Sequence, residues 1–303
     1  MDLTGRTVVV TGTTSGLGRA LSAALAGAGA RVLMTARDTT RGKAAVAQVG
    51  GTAELVHLDL ADLDSVRSAA AEIRERTGDR LDVLVNNAGV AMGPRAETAD
   101  GFELQIGTNH LGPAALTWLL MPSLRDADPD QPARVVTTSS LGHRMARLDL
   151  SDLYWTRRRY SPVAAYGASK LANLLFAAEL DRRLRLSGDP VLSVAAHPGM
   201  TESSLFENSL RRGGSAWSRV FAFPDRFLVQ PVAEGITPQL AAANGPVHGG
   251  DYIGPSGRGE TRGAPGPARR SRAATDPVLA GRLWQVTAAA TGVTPDPGRR
   301  VEP

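Results

Sequence analysis

Thr7-Val8-Val9-Val10-Thr11-Gly12-Thr13-Thr14-Ser15-Gly16-Leu17-Gly18 decides the fold. It opens on a β-branched run, which suits a strand buried on both faces of a parallel sheet. A glycine-rich turn follows, and Arg19 to Ala28 then reads as an Ala/Leu-rich helix. Strand, turn and helix N-terminus together make an anion site. First-turn N–H groups and the helix dipole face a pyrophosphate, and glycine lets it approach. A plain tight turn is the alternative, but the flanks on both sides favour dinucleotide binding. The spacing is Gly-x-x-x-Gly-x-Gly, not the commoner Gly-x-Gly-x-x-Gly.

Outward from this turn the chain alternates. Strands are predicted at Arg31–Ala36, Glu54–Leu58, Leu81–Val85, Ala133–Thr138 and Val191–Ala196, with a seventh at Asp251–Ile253. Helices are predicted between them at about 63–76, at 101–124 with a break near Gly112-Pro113, and at 171–186. The expected fold class is α/β, a single Rossmann-type doubly wound parallel sheet with a substrate lid and a C-terminal extension. In such a sheet, ligands bind just past the strand C-termini.

At the end of the second strand, Ala36 stands where an acid would bond the adenosine ribose, and Arg37 follows. A guanidinium pairs well with a 2′-phosphate, which favours NADP(H) over NAD(H). Asp38 is the counter-indication, read as a cap for the helix starting at Thr39-Thr40.

Tyr166-Gly-Ala-Ser-Lys170 places a phenol and an ammonium on one helical face. An ammonium close to a phenol lowers its pKa, so Tyr166 is expected to exchange a proton near neutral pH. A helix carrying both on its surface is the bland alternative, and Tyr-x-x-x-Lys alone does not exclude it.

Composition bounds the rest. The 303 residues are 42% hydrophobic and 21% charged, an ordinary soluble balance. No apolar run is long enough for a membrane span. The absence of cysteine excludes thiolate metal sites and fits a reducing cytoplasm, and the five histidines show no ligand spacing, so no metal is expected. The net charge of +4 resides from Pro255 onward, where eight arginines face four acids. A Gly/Pro-rich basic tail does not indicate a nucleic-acid partner.

The glycine turn 12–18, Asn86-Asn87-Ala88-Gly89, Ser139-Ser140, Tyr166-x-x-x-Lys170 and Pro198-Gly199 come in one order. In this the chain resembles the short-chain dehydrogenase/reductase family over about residues 4–254. Thr108-Asn109-His110-Leu111-Gly112, Ser139-Ser140-Leu141-Gly142-His143 and Ser169-Lys170-Leu171-Ala172-Asn173 resemble its retinol-dehydrogenase-like branch. The resemblance implies that Gly12, Ser15, Gly16, Leu17 and Gly18 hold the pyrophosphate, and Arg37 the 2′-phosphate. Asp59 and Leu60 would flank the adenine, and Asn87, Ala88 and Gly89 would line the cofactor. Ser140 would hold the substrate oxygen, Tyr166 would be the acid/base, and Lys170 would grip the ribose. Asn109 would hold a water on the proton relay, with Pro198, Gly199 and Thr201 at the nicotinamide. A homodimer or homotetramer is the family expectation.

Two regions depart from a plain member. Residues 202–230 hold four of the six phenylalanines. They read either as a lid over a lipophilic or ring substrate or as helices packed on the core or a second subunit. The domain is expected to span 1–254. Residues 255–303 are expected to form a mobile Gly/Pro/Arg-rich linker and a terminal helix. Arg157-Arg158-Arg159 could meet an anionic substrate but reads first as a solvated charge run.

The leading function is reduction or oxidation of a carbonyl/alcohol pair. A catalytically idle dinucleotide sensor is disfavoured because Ser140, Tyr166, Lys170 and Asn109 are all present. A nucleotide-sugar epimerase is disfavoured by the short segment after Pro198-Gly199.

Overall fold

A computed structural model describes residues 2–128, 131–201 and 229–297. Eight strands form one sheet in the order β3-β2-β1-β4-β5-β6-β7-β8. They are β1 (Thr7–Val10), β2 (Arg31–Ala36), β3 (Ala53–His57), β4 (Val83–Asn86), β5 (Ala133–Thr138), β6 (Val191–Ala196), β7 (Tyr252–Pro255) and β8 (Pro265–Pro267). Seven strands run parallel; only β8 lies antiparallel, on β7. The doubly wound α/β expectation holds.

The sheet is buried on both faces, and the strand sequences show why. Val9, Leu33, Leu84 and Val135 face one core with α3 (Leu63–Thr77), α5 (Gly112–Arg125) and α6 (Pro162–Ser187). Their neighbours Val8, Val10, Val32, Met34, Val83, Val85 and Val136 face the other, beneath α1 (Gly16–Gly27) and α2 (Thr39–Val49). Successive side chains on a strand alternate, so a continuous apolar run serves two cores at once.

After β3 the chain returns to the far side of β1 to lay down β4. This switch opens a crevice at the C-terminal ends of β1 and β4, beside the glycine turn.

The predicted break near Gly112-Pro113 is a local widening. Short α4 (Leu104–Ile106) leads into a π-helical turn, Gly107–Leu111, and then α5. Gly112 N–H bonds the Gly107 carbonyl five residues back. Pro113 has no N–H for the carbonyl of Asn109, four residues back, so the regular ladder of bonds is interrupted here. Such turns gather at functional sites, and this one contains Asn109.

The segment after Gly254 corrects the expectation of a mobile linker. Ile253, Gly254 and Pro255 pair with Pro267, Gly266 and Pro265, making residues 265–267 the edge strand. Proline is tolerated on an edge because no further strand needs its missing N–H. The last helix, α9 (Pro277–Thr291, following α7 Val232–Gly235 and α8 Thr237–Asn244), puts Trp284 into the main core. There it stacks on Phe176 at 5.4 Å and meets Trp118 edge-on at 4.9 Å. Arg158, read as part of a solvated run, lies 3.8 Å over the Trp155 ring and pairs with Asp152. The expected lid lies outside the described residues, apart from Val229 and Gln230.

Candidate active site

The turn after β1 is shaped by contacts that leave no room for side chains. Gly12 has φ 73°, and a Cβ there would come within 2.7 Å of Ala88 Cα. A Cβ on Gly18 would meet the Gly12 carbonyl oxygen at 2.2 Å and Asn87 Nδ2 at 2.6 Å. The turn and the Asn87-Ala88 loop are thus pressed together at the sheet switch point.

Thr11 joins them. Its hydroxyl accepts from the N–H groups of Asn87 and Ala88, each at 3.0 Å, while Asn87 Nδ2 donates to the Thr11 carbonyl at 2.9 Å. Gln239, on α8, donates to Asn87 Oδ1 at 3.0 Å and to Thr138 Oγ1 at 2.9 Å, tying the ends of β4 and β5.

α1 starts at this turn. Asp38 caps α2, Asp62 caps α3 and Ser161 caps α6, each accepting from first-turn N–H groups. Ser15 at the head of α1 makes no such side-chain cap, and the first turn holds no acid. A helix start without a side-chain cap or a carboxylate, behind a turn closed by Gly12 and Gly18, fits a pyrophosphate.

The reacting groups come from three elements. Tyr166 and Lys170 lie one turn apart on α6, Ser140 caps the 3₁₀ turn Leu141–Met145 after β5, and Asn109 lies in the π-helical turn. Asn109 Nδ2 donates to the Val90 carbonyl and to Ser169 Oγ, both at 2.9 Å, and Oδ1 accepts from Val90 N–H at 2.7 Å. Lys170, 4% exposed, donates to the Thr138 carbonyl at 3.2 Å, and that carbonyl also accepts from Asn173 Nδ2 at 3.0 Å. Gly89 passes over both groups, so a Cβ there would stand 3.1 Å from Asn109 Oδ1 and 3.5 Å from Lys170 Nζ.

The titration of the pair departs from the sequence expectation. Burial pushes the Tyr166 phenol up, and the neighbouring Ser140 hydroxyl only partly offsets it. Burial pushes Lys170 down to about 8. Its ammonium lies 5.7 Å from the centroid of the Tyr166 ring. Helical spacing brings the two side chains to one face but does not say how much water reaches them, and here desolvation sets the direction of both shifts.

Arg37 is exposed at the end of β2, with Nε 3.8 Å from Asp59 Oδ2. Asp38 is the cap expected of it, accepting from Arg41 N–H at 3.0 Å. Leu60 is buried just beyond β3. After β6, Gly199 adopts φ 67°, and Thr201 Oγ1 and Gln230 Nε2 both donate to the Pro198 carbonyl.

The crevice therefore gathers Gly12, Gly18, Asn87, Ala88, Gly89, Asn109, Ser140, Tyr166 and Lys170, while Arg37 and Asp59 stand beside β2 and β3. Sequence reading passed over Thr11, Gln239 and Asn173. Gln239 had a signal, being the lone polar side chain in the run Leu240-Ala241-Ala242-Ala243 and the Ile236-Thr237-Pro238 before it that lies fully buried.

A family model described as short chain dehydrogenase matches residues 6–212. A polyprenol dehydrogenase of Mus musculus is 38% identical over 291 residues, covering 92% of this chain and 82% of its own. Retinol dehydrogenase 13 of Homo sapiens is 37% identical over 299 residues, covering 95% and 85%. Among solved structures, an uncharacterized protein from Mycobacterium Paratuberculosis is 41% identical at a TM-score of 0.79, with 96% of this chain and 95% of that one covered. The chain belongs to the short-chain dehydrogenase family, in its retinol-dehydrogenase-like branch. It is thus a member of a family of oxidoreductases that use nicotinamide dinucleotides.

Proposed function

We propose that this protein interconverts a carbonyl and an alcohol using NADP(H), with Tyr166 as the acid/base and a lipophilic or ring compound as substrate. The observation that carries the reading is the convergence of Ser140 and Tyr166 on Gly142, where an added Cβ would stand 3.7 Å from Ser140 Oγ and 3.5 Å from the Tyr166 ring, with Lys170 one helical turn away. Gly12, Gly16 and Gly18 with the start of α1 would hold the pyrophosphate, and Asn87 to Gly89 would line the nicotinamide side. The bound dinucleotide supplies or accepts the hydride.

The protein's own part is proton transfer and placement. A raised pKa keeps Tyr166 protonated at neutral pH, which suits donation to the oxygen of a carbonyl being reduced. The Ser140 hydroxyl orients that oxygen without attacking the carbon. Lys170 has two further N–H groups beyond the one given to Thr138, suited to a ribose.

Arg37 supports NADP(H). No acid stands at position 36, Asp38 is engaged in capping α2, and among the described residues the guanidinium is held only by a 3.8 Å ion pair to Asp59. A lipophilic substrate is supported by Met145 and Met200, 85% and 38% exposed, on the loops that carry Ser140 and Gly199. It is also in keeping with relatives named for polyprenol and retinol. A dimer or tetramer and a cytoplasmic location complete the proposal; among the described residues no helix is long and apolar enough to cross a membrane.

The test is a panel of aldehydes and ketones, lipophilic and polar, followed by NADPH absorbance with NADH as control. Turnover of lipophilic carbonyls with NADPH is expected. Cofactor binding without turnover of any member would leave the sensor in its place.

A further inference from the structure

Beneath the substrate side of the crevice, three loops meet on one carboxylate. Glu260 lies in the segment after β7, with φ 59° and little solvent exposure. A non-glycine residue held at positive φ is uncommon. Its Oε1 accepts from Arg269 N–H at 3.1 Å. Its Oε2 lies 3.2 Å from His197 Nε2, on the loop after β6, and pairs with Arg144 Nη2, on the loop after β5.

Each partner leads to a residue of the candidate site. His197 Nδ1 accepts from Gly199 N–H at 3.2 Å, so a neutral ring must carry its proton on Nε2 and give it to Glu260. Burial holds this histidine neutral, down to about 4. Met200 N–H donates to the Thr261 carbonyl at 2.8 Å, next along the chain from Glu260. Gly199 clears that carbonyl only because it lacks a Cβ, which would stand 2.3 Å from the oxygen. On the other loop, Arg144 follows His143, whose Nδ1 donates to the Ser140 carbonyl at 2.6 Å and whose Nε2 accepts from Ser271 N–H at 3.3 Å.

We propose that Glu260 is a positioning residue that fixes the Ser140 loop against the Pro198-Gly199 loop and so sets the distance between the substrate oxygen and the nicotinamide. This rests on the hydride-transfer reading above. The geometry demands a carboxylate. Arg269 N–H and His197 Nε2–H are both donors, directed at different oxygens, and Arg144 brings a positive charge. A glutamine has one acceptor and would turn its amide N–H toward one donor or the other.

The experiment uses the full chain with the substitutions Glu260→Gln and Arg144→Ala, folding being checked by circular dichroism. Three quantities are read: the His197 tautomer by ¹⁵N NMR, NADPH affinity by fluorescence, and single-turnover hydride transfer at saturating NADPH. Wild type should show His197 protonated on Nε2 alone. E260Q should lose that single tautomer, weaken NADPH binding, and slow hydride transfer by about 10- to 100-fold, the scale of small misplacements at a reacting centre. R144A, which cuts only the serine arm, should slow hydride transfer and leave NADPH affinity within twofold.

A folded E260Q with tautomer, affinity and rate within twofold of wild type overturns the proposal. So does wild-type His197 protonated on Nδ1, or an R144A whose affinity falls as far as its rate. If E260Q does not fold, the wild-type tautomer and R144A decide the matter alone. If the wild type reduces no carbonyl, the enzymatic reading fails separately, and the tautomer and NADPH affinity of E260Q still decide whether Glu260 sets the Gly199 loop.

Discussion

Asn109 and Val90 are joined twice: the side-chain amide gives an N–H to the Val90 carbonyl and takes one from the Val90 N–H. The side chain thereby acts as one rung of a ladder for the loop after β4, where no strand is available to do so. Asn109→Asp keeps the size and one acceptor, but sets a second oxygen against the Val90 carbonyl. The variant should lose about 1–3 kcal/mol of stability, the usual cost of a buried polar group left unpaired. Urea denaturation at pH 7 measures it, and a midpoint equal to wild type would show that the loop does not depend on this residue.

Arg37→Ala should weaken NADPH while leaving NADH almost unchanged. A charge-assisted contact to a phosphate is worth about 1–3 kcal/mol, roughly tenfold to a hundredfold in Kd. Asp38→Ala should leave that ratio alone and cost about 0.5–2 kcal/mol through the lost cap of α2. Comparing kcat/KM for both cofactors in the two variants separates the roles, and a shift of preference in the Asp38 variant would reverse them.

Lys170 gives a pH dependence with a defined sign. Its folded-state pKa of about 8 lies below the ordinary lysine value, so between these pH values the unfolded chain binds more protons. Stability must therefore rise with pH across this window, as the penalty for burying the charge is relieved. Lys170→Met should remove that rise, on the order of 3 kcal/mol over the whole window, without orphaning the Thr138 carbonyl, which keeps Asn173. Urea midpoints at pH 7.5 and 9.5 for both proteins check it; parallel changes would place the shift elsewhere.

What the sequence made legible follows a physical pattern. Val8-Val9-Val10 read as a doubly buried strand because the side-chain types carry that information directly. Asp38 read as a cap because its spacing to the helix is local. Tyr166 and Lys170 read as one helical turn apart because their spacing is local, but the direction of the tyrosine shift depends on the burial supplied by surrounding loops. Residues 265–267 read as linker because Pro-Gly-Pro has almost nothing to bury, whereas its place in the sheet comes from pairing with β7. Glu260 gave no sign, since His197 and Arg144, which it joins, lie far away in sequence.

The correction at the C-terminus has its own test. A chain ended after Gly254 loses β8, Glu260 and the packing of Trp284 on Phe176 and Trp118. Removing a buried tryptophan side chain alone typically costs about 3–5 kcal/mol, a large share of a domain's stability. The truncated chain should be unfolded or fail to bind NADPH, as judged by circular dichroism and fluorescence titration. Intact binding would return the segment to the status of an appendage.

The last prediction isolates the proton. Tyr166→Phe keeps the ring, which packs beside Gly142 and Ser140, and removes only the hydroxyl. Lys170 keeps its bond to Thr138 and Asn109 keeps Val90 and Ser169, so the cofactor surface built from Gly89 and these residues should persist. NADPH affinity should then stay within a few-fold of wild type. Single-turnover reduction of an active carbonyl should fall by about 10²–10⁴-fold, the range of a general acid's contribution. Ser140→Ala should also slow the step at unchanged affinity, since it orients the same oxygen. Hydride transfer at the wild-type rate in Tyr166→Phe, at saturating NADPH, would mean that another group protonates the substrate and that this mechanism is wrong.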